Sequence, residues 1–352
     1  MEKHPNFYSQ ISGFENIYLA YRKARRGKRQ HESVAAFEFD QERELLRLRD
    51  ELQTQTWKPG KYHSFYIHDP KKRLISAAPF RDRVAHHALV NLIEPVWERQ
   101  FIEDSYANRV GKGTHAALDR AQGLARRYRY FLQCDVEQFF PAIDHALLRD
   151  EIARHIADEN TLRMCELIIK SGQGVLNEEY VMRWFAGDDL TAALRPRGLP
   201  IGNLTSQFWA NVYLNPFDHF VLRDLKCEGY VRYVDDFILF ADDKKILHQW
   251  RKAIIERLAA LRLTLHQARA QVFPTKTGLP FLGFRLYPTH RRLKRRNGVN
   301  FQRRFKSLLR QFAKGDLTFD QLNASVRGWV AHASHGDTYG LRRSILSQQV
   351  FA

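Results

Sequence analysis

Three cysteines in 352 residues are too few for a disulfide framework, and no Cys/His spacing matches a zinc pattern. No stretch approaches the ~18 uninterrupted apolar residues of a membrane span. The opening Met1-Glu2-Lys3-His4-Pro5 does not read as a signal peptide. These absences lead to the expectation of a protein of the reducing cytoplasm with no membrane partner. Acids are scarce beside bases: 39 Asp and Glu stand against 56 Lys and Arg, a formal net charge of +17. Such a surplus favours a polyanionic partner. The bases also cluster. Arg22, Lys23, Arg25, Arg26, Lys28 and Arg29 crowd one short stretch. Arg285, Arg291, Arg292, Lys294, Arg295, Arg296, Arg303, Arg304, Lys306 and Arg310 fill another, with no acid from 285 to 310. Phosphate contact is the use expected of both. Internal repeats and long low-complexity linkers are missing too, and a hydrophobic content of 44% allows a large core with two or three subdomains.

Against this background, Tyr233-Val234-Asp235-Asp236 stands out. Two adjacent carboxylates lie between the apolar runs Gly229–Arg232 and Phe237–Ala241, a pattern that predicts a tight hairpin. Crowding like charges in an apolar setting is costly unless a cation neutralises them. A third acid, Asp135, ends the strand-like run Phe131–Val136. Three carboxylates on neighbouring strand ends are what two-metal phosphoryl transfer requires. The other Asp-Asp pairs read differently. Asp188-Asp189 lies in a loop or helix start, and Asp242-Asp243 opens a helix, where acids suit the dipole.

Residues 1–60 read as basic helices, including Gln41–Leu52. Tyr62–His68 and Leu74–Ala78 read as strands around Lys71-Lys72-Arg73. Helices are predicted over Arg81–Gln100, with an interruption at Pro95, and over Thr114–Tyr128, with Thr114 as cap. Another starts near His145, a buried one spans Asn203–Phe220, and a further one spans Lys244–Leu261. Residues 172–199 read as loop; strands are predicted near 263–267, 271–273 and 281–286, followed by basic helices anchored by Trp329. Gly111-Lys112-Gly113-Thr114 lacks the spacing of a phosphate-binding P-loop. His86-His87 point to different sides of one helix and suit packing better than metal binding.

From about residue 60 to 335 this order resembles reverse transcriptases. Asp135 with Phe139-Phe140 matches the first catalytic motif and Tyr233–Asp236 the second. Leu282-Gly283-Phe284 matches the primer-grip region, and Arg73 with Asp82-Arg83 the fingers motif of bacterial and group II intron enzymes. Gly198-Leu199-Pro200-Ile201-Gly202-Asn203-Leu204-Thr205-Ser206-Gln207 is similar to the helix-entry motif of diversity-generating retroelement reverse transcriptases. Most reverse transcriptases have Gln at the place of Ile201 and Pro at that of Gln207. Asp104–Asn108, Gly111–His115 and Pro288-Thr289-His290 are similar to that family as well.

The resemblance implies an α+β right-hand polymerase with fingers, an antiparallel-sheet palm and a helical thumb. Its expected parts are an N-terminal basic helical extension (1–60), fingers (61–130), palm (131–290, with a fingers insertion at about 165–200) and thumb (291–352). It implies an RNA-directed DNA polymerase with two Mg²⁺ ions. Asp135 and Asp235 would ligate both ions, Asp236 would support the site or bind one ion less directly, and the Val136 carbonyl would be a further ligand. Lys71, Lys72 and Arg73 would hold the dNTP, Phe140 would exclude the 2′-hydroxyl, and Ile201, Gly202 and Gln207 would complete the pocket. An isoleucine at 201 cannot donate a hydrogen bond to the sugar, which implies error-prone synthesis. The acid that protonates pyrophosphate is left open between His266 and Arg269. Arg291, Arg292, Lys294, Arg295, Arg296, Arg303 and Arg304 would touch the RNA/DNA duplex. The family implies a structured template RNA and a small, pentameric helical-bundle accessory protein. The chain is too short for the maturase and endonuclease domains of group II intron proteins. Two other readings accompany this one: a reverse transcriptase of antiviral defence, and an inactive RNA-binding scaffold.

Overall fold

The computed structural model describes residues 7–68 and 72–347, so Lys71 lies outside the described residues. The chain opens with helices α1 (Tyr8–Ile11), α2 (Phe14–Ala24), α3 (Glu32–Phe39) and α4 (Gln41–Gln53). In α4, Leu45, Leu48 and Leu52 recur at three- and four-residue spacing and form its buried stripe. Strands β1 (His63–Ile67) and β2 (Arg73–Ala77) pair as an antiparallel ribbon, with Ser64 opposite Ser76. Helix α5 (Phe80–Glu98) follows and is not interrupted at Pro95 as expected. Pro95 sits in the last turn, where its missing N–H costs one intrahelical bond next to an end that frays anyway.

Helix α6 (Thr114–Arg127) is capped by Gly113 at φ +106°, not by Thr114. The Thr114 hydroxyl is instead 3.1 Å from the Tyr233 hydroxyl. Strand β3 (Tyr130–Asp135) leads to α7 (Phe139–Ala142), α8 (His145–His155) and α9 (Glu159–Ser171). The Asp144 and Asp158 carboxylates cap α8 and α9 by accepting from their first-turn amides. Residue 165, near the expected start of a fingers insertion, lies inside α9. Residues 172–199 are irregular apart from two short 3₁₀ turns. Helix α10 (Leu204–Arg223) is buried on most sides. Strands β4 (Gly229–Tyr233) and β5 (Asp236–Ala241) make the expected hairpin, and α11 (Lys244–Ala260) starts at its cap Asp243.

Strand β6 (Gln271–Pro274) completes an antiparallel sheet in the order β4-β5-β3-β6. The strand expected at 263–267 reduces to an isolated bridge between Leu265 and Val136. It meets the chain just beyond the end of β3, and a turn at 266–270 then redirects it into β6. The strand expected at 281–286 is split into β7 (Leu279–Phe281) and β8 (Phe284–Leu286). Leu282 and Gly283 both have positive φ, +41° and +87°, and turn the chain between them. Strand β9 (Arg291–Leu293) was masked in the sequence by its arginines; pairing with β8 creates it. The chain ends in α12 (Arg295–Ala313), α13 (Phe319–Ala333) and α14 (Tyr339–Ser347).

Strands β3, β4 and β5 of the four-stranded sheet are buried on both faces, which is why they read as near-continuous apolar runs. Leu132, Tyr230, Phe237 and Leu239 face a large core shared with α5, α8, α10 and α11. The alternate residues Phe131, Val231, Ile238 and Phe240 face α6 and the β7-β8-β9 sheet. A separate small core joins the C-terminal helices around Phe301, Phe305, Leu322 and Ile345, and Trp329 stacks on Phe301 with centroids 3.9 Å apart. Because this cluster is detached from the main core, Trp329→Ala should destabilise α12–α14 by roughly 2–4 kcal/mol without unfolding the sheet. Hydrogen exchange would then rise in 295–347 alone; a matching rise in β3–β5 would contradict the separation.

Candidate active site

The site forms where β3 ends beside the β4–β5 turn. Tyr233 pairs with Asp236, leaving Val234-Asp235 as a two-residue turn. Asp135 lies directly opposite Asp236 on the neighbouring strand. All three acids are half-buried. Like charges directly opposite each other on paired strands oppose sheet formation. Arg269 offsets part of this by donating to Asp135 Oδ2 at 2.5 Å. The His266 amide holds the Asp135 carbonyl at 2.8 Å and the Glu137 amide donates to the Thr264 carbonyl at 2.8 Å. With both neighbours bonded on that side, the Val136 carbonyl faces the other way, toward β5.

The other expected site residues form two groups. Phe140 is half-buried against Phe139, ring centroids 5.4 Å apart, and its carbonyl accepts from Leu199 N at 3.0 Å. The Ile201 turn is fastened to β2: Ser76 N donates to the Ile201 carbonyl at 2.8 Å. Asn203 accepts from Ala78 N at 3.0 Å and donates to the Ser76 carbonyl at 2.8 Å. Gly202 has φ +115°, and a Cβ there would stand 2.9 Å from Ile75, so glycine is required twice over. Arg73, Lys72 and Gln207 are exposed on these same elements, with the Lys72 ammonium 4.2 Å from the centre of the Tyr66 ring.

The expected duplex contacts do not all behave alike. Arg292, Arg295, Arg296, Arg303 and Arg304 are exposed, while Lys294 is half-buried. Arg291 departs from expectation. Its guanidinium binds Asp119 at 2.6 Å and Gln122 at 2.7 Å, so it ties β9 to α6 and is already engaged.

Residues 60–286 match the family model described as reverse transcriptase (RNA-dependent DNA polymerase). The chain belongs to the reverse transcriptase family. RNA-directed DNA polymerase is accordingly its enzyme class. It is similar to Protein YkfC of Escherichia coli (strain K12), at 24% identity over 286 residues, covering 69% of this chain and 71% of that protein. It is also similar to the group II intron-encoded protein LtrA of Lactococcus lactis subsp. cremoris, at 26% identity over 239 residues, covering 66% of this chain and 38% of LtrA. Among solved structures, a telomerase chain from Candida albicans gives a TM-score of 0.46 at 12% identity, covering 84% of this chain and 56% of that one. The reverse transcriptase therefore spans well under two thirds of LtrA and of the telomerase chain. Its architecture is α+β with antiparallel sheets.

Reverse transcriptases use divalent metal ions. Among the described residues no three His, Cys, Asp or Glu side chains form a group that could hold one unaided. The donor chemistry nevertheless suits a hard cation: the carboxylates at 135, 235 and 236 and the Val136 carbonyl offer oxygen alone. Cys134, next to Asp135, is buried, and burial pushes its thiol well above the ordinary range, so it is a packing residue.

Sequence reasoning missed what holds the β4–β5 turn of this reverse transcriptase. Val234 has φ +58°, a strained conformation for a β-branched residue. Arg232, fully buried, donates to the Val234 carbonyl at 3.0 Å and to Asn211 Oδ1 at 3.1 Å. It also makes a two-pronged ion pair with the equally buried Asp218, at 2.7 and 2.6 Å, and Asp218 accepts from the Tyr230 hydroxyl at 2.8 Å. Burial alone would lower the Arg232 guanidinium; the Asp218 carboxylate outweighs it and the net shift is upward. The available signal was an Asp and an Arg each set in an apolar run. Asp218→Asn should cost about 3–5 kcal/mol in denaturant unfolding, because it strands a buried guanidinium. Asp236→Asn should act in the opposite sense. It removes the like charge facing Asp135, raising stability by roughly 0.2–1 kcal/mol while abolishing primer extension. A loss of both stability and activity would show that Asp236 serves the fold.

Proposed function

We propose that this reverse transcriptase copies a structured template RNA into DNA by two-metal phosphoryl transfer, with the error-prone synthesis of a diversity-generating retroelement. The observation that carries the polymerase reading is the juxtaposition of Asp135, Asp235 and Asp236 at the meeting of β3 with the β4–β5 turn. Asp135, Asp235 and Asp236, with the Val136 carbonyl, would hold two Mg²⁺ ions. When bound, these supply Lewis-acid stabilisation of the triphosphate and a more acidic primer hydroxyl. Arg73 and Lys72 bind the triphosphate, and Phe140 stands under the sugar as the 2′-hydroxyl gate.

Arg269 has a defined part in this reading. Its guanidinium neutralises Asp135 in the pair described above, and it stabilises charge rather than donating a proton, since a guanidinium is a poor acid. His266 remains the candidate acid for pyrophosphate, with its backbone already bound to Asp135. The exposed arginines of α12 contact duplex phosphates, and the N-terminal basic helices contact template RNA or a basic accessory protein. In the same scheme the β1–β2 ribbon belongs to the fingers, the four-stranded sheet to the palm and α12–α14 to the thumb. The cytoplasm is the proposed compartment.

Low fidelity follows from Ile201. Its carbonyl is used by Ser76, and its side chain offers no donor to a nucleotide. Loss of one positioning hydrogen bond narrows the gap between right and wrong nucleotides by roughly tenfold. The test is primer extension on an RNA template with dNTPs and Mg²⁺, with sequenced products. Wild type should extend with errors concentrated at template adenines; Ile201→Gln should lower that error rate about tenfold, and Asp235→Ala should not extend. Accurate extension by wild type would move the reading toward antiviral defence. No extension, even with template RNA and accessory protein supplied, would favour a scaffold.

A further inference from the structure

Three histidines distant in sequence meet where the C-terminal helices touch α6. The His115 ring stacks on His335 with centroids 3.4 Å apart and planes 13° from parallel, and His332 lies 5.8 Å from His115. His332 also packs on Phe284 of β8, centroids 5.0 Å apart. The same junction is closed by the Asp337 amide, which donates to the Arg291 carbonyl at 2.7 Å. A Cβ on Gly336 would come within 3.0 Å of the Phe284 ring, so the 334–338 turn sits directly on β8.

The other side of His115 leads to the chemistry. Its neighbour Thr114 is 3.1 Å from the hydroxyl of Tyr233, the residue before the catalytic turn. Gly113 N donates to the Tyr106 carbonyl at 2.9 Å, and Tyr106 N to the Arg232 carbonyl at 3.0 Å. The segment is thus laced to β4 along its backbone as well.

We infer that Thr114-His115 couples the C-terminal helices to the catalytic hairpin, with His115 as the positioning residue that sets where those helices stand. The consequence for catalysis rests on the polymerase reading above; the junction itself does not. Neutral imidazoles stack as any ring pair does, whereas two imidazolium rings at this distance repel. Burial first, then His335 and His332, hold His115 below the ordinary value of 6.5, and Asp119 on α6 and Arg291 on β9 pull it up and down respectively. Burial first, then His335, also lowers His332. Undocked histidines therefore take up protons that docked ones refuse. Docking is at full strength above the ordinary value of 6.5 and weakens as the pH falls below it. Weaker docking would move the arginine-bearing α12 off the duplex and leave the three acids untouched.

The test needs no catalysis. Hydrogen exchange at residues 334–338, divided by the intrinsic exchange rate at each pH, and dissociation of a fluorescent RNA/DNA hybrid without dNTPs, are followed from about pH 8 to about pH 5.5. In wild type both should rise together, by about fivefold or more. The triply substituted His115→Phe, His332→Phe, His335→Phe chain keeps the rings but not the charges, and both profiles should be flat. An unchanged pH response in that chain, or a flat response in wild type, would overturn the inference. Thr114→Val keeps the histidines and cuts the link to Tyr233. It should lower single-nucleotide kcat about fivefold at unchanged KM and unchanged exchange; an unaltered kcat would overturn the coupling. A protein that exchanges as expected but extends no primer would sink the polymerase reading and leave the junction standing.

Discussion

The buried pairing of Arg232 with Asp218 is the constraint around which the candidate site is organised. A tight turn carrying adjacent acids is a poor local structure: its first residue is β-branched in a left-handed conformation, and its charges face another acid across the sheet. Arg232 reaches from the strand itself to the carbonyl of that strained residue, and can be buried there because Asp218 and Asn211 on α10 accept its remaining protons. Helix α10 therefore packs against the sheet, and its burial on most sides is the counterpart of central strands buried on both faces. The cost of desolvating the pair is recovered in geometry more than in net stability.

Much of the architecture could be read from residue patterns because those patterns are strong where the chain is buried. The hairpin, the strand ending at Asp135, the α10 segment and the Asp243 cap were all legible for that reason. The misses have physical causes too. Thr114 has the chemistry of a cap, but Gly113 supplies the backbone angle and frees the threonine for Tyr233. Strand β9 is written in arginines, and the paired strand gives it a conformation that its own composition does not. Residues 263–267 have strand-like alternation but meet a neighbour that has already ended. Arg291 looked like one phosphate contact among many; its partners Asp119 and Gln122 lie more than 160 positions away.

The site itself divides the same way. That the three acids would meet was legible in local sequence, since each lies at the end of a strand-forming apolar run. Their support was not, because Asp218, Asn211 and Arg232 come together only in three dimensions. The histidines at 115, 332 and 335 were likewise invisible as a set.

The Ile201 turn has a mechanical side. Ser76 holds its carbonyl, and Asn203 grips the chain on either side of Ala77, once at the Ser76 carbonyl and once at the Ala78 amide. Gly202 brings the turn against Ile75 with no room for a side chain. The β1–β2 ribbon and this turn are therefore one lever, and the ribbon cannot tilt without carrying Ile201 along. Discrimination at Ile201 would then depend on how fast and how far the lever swings, so that substitutions along the strap, remote from any nucleotide, would alter copying accuracy through timing.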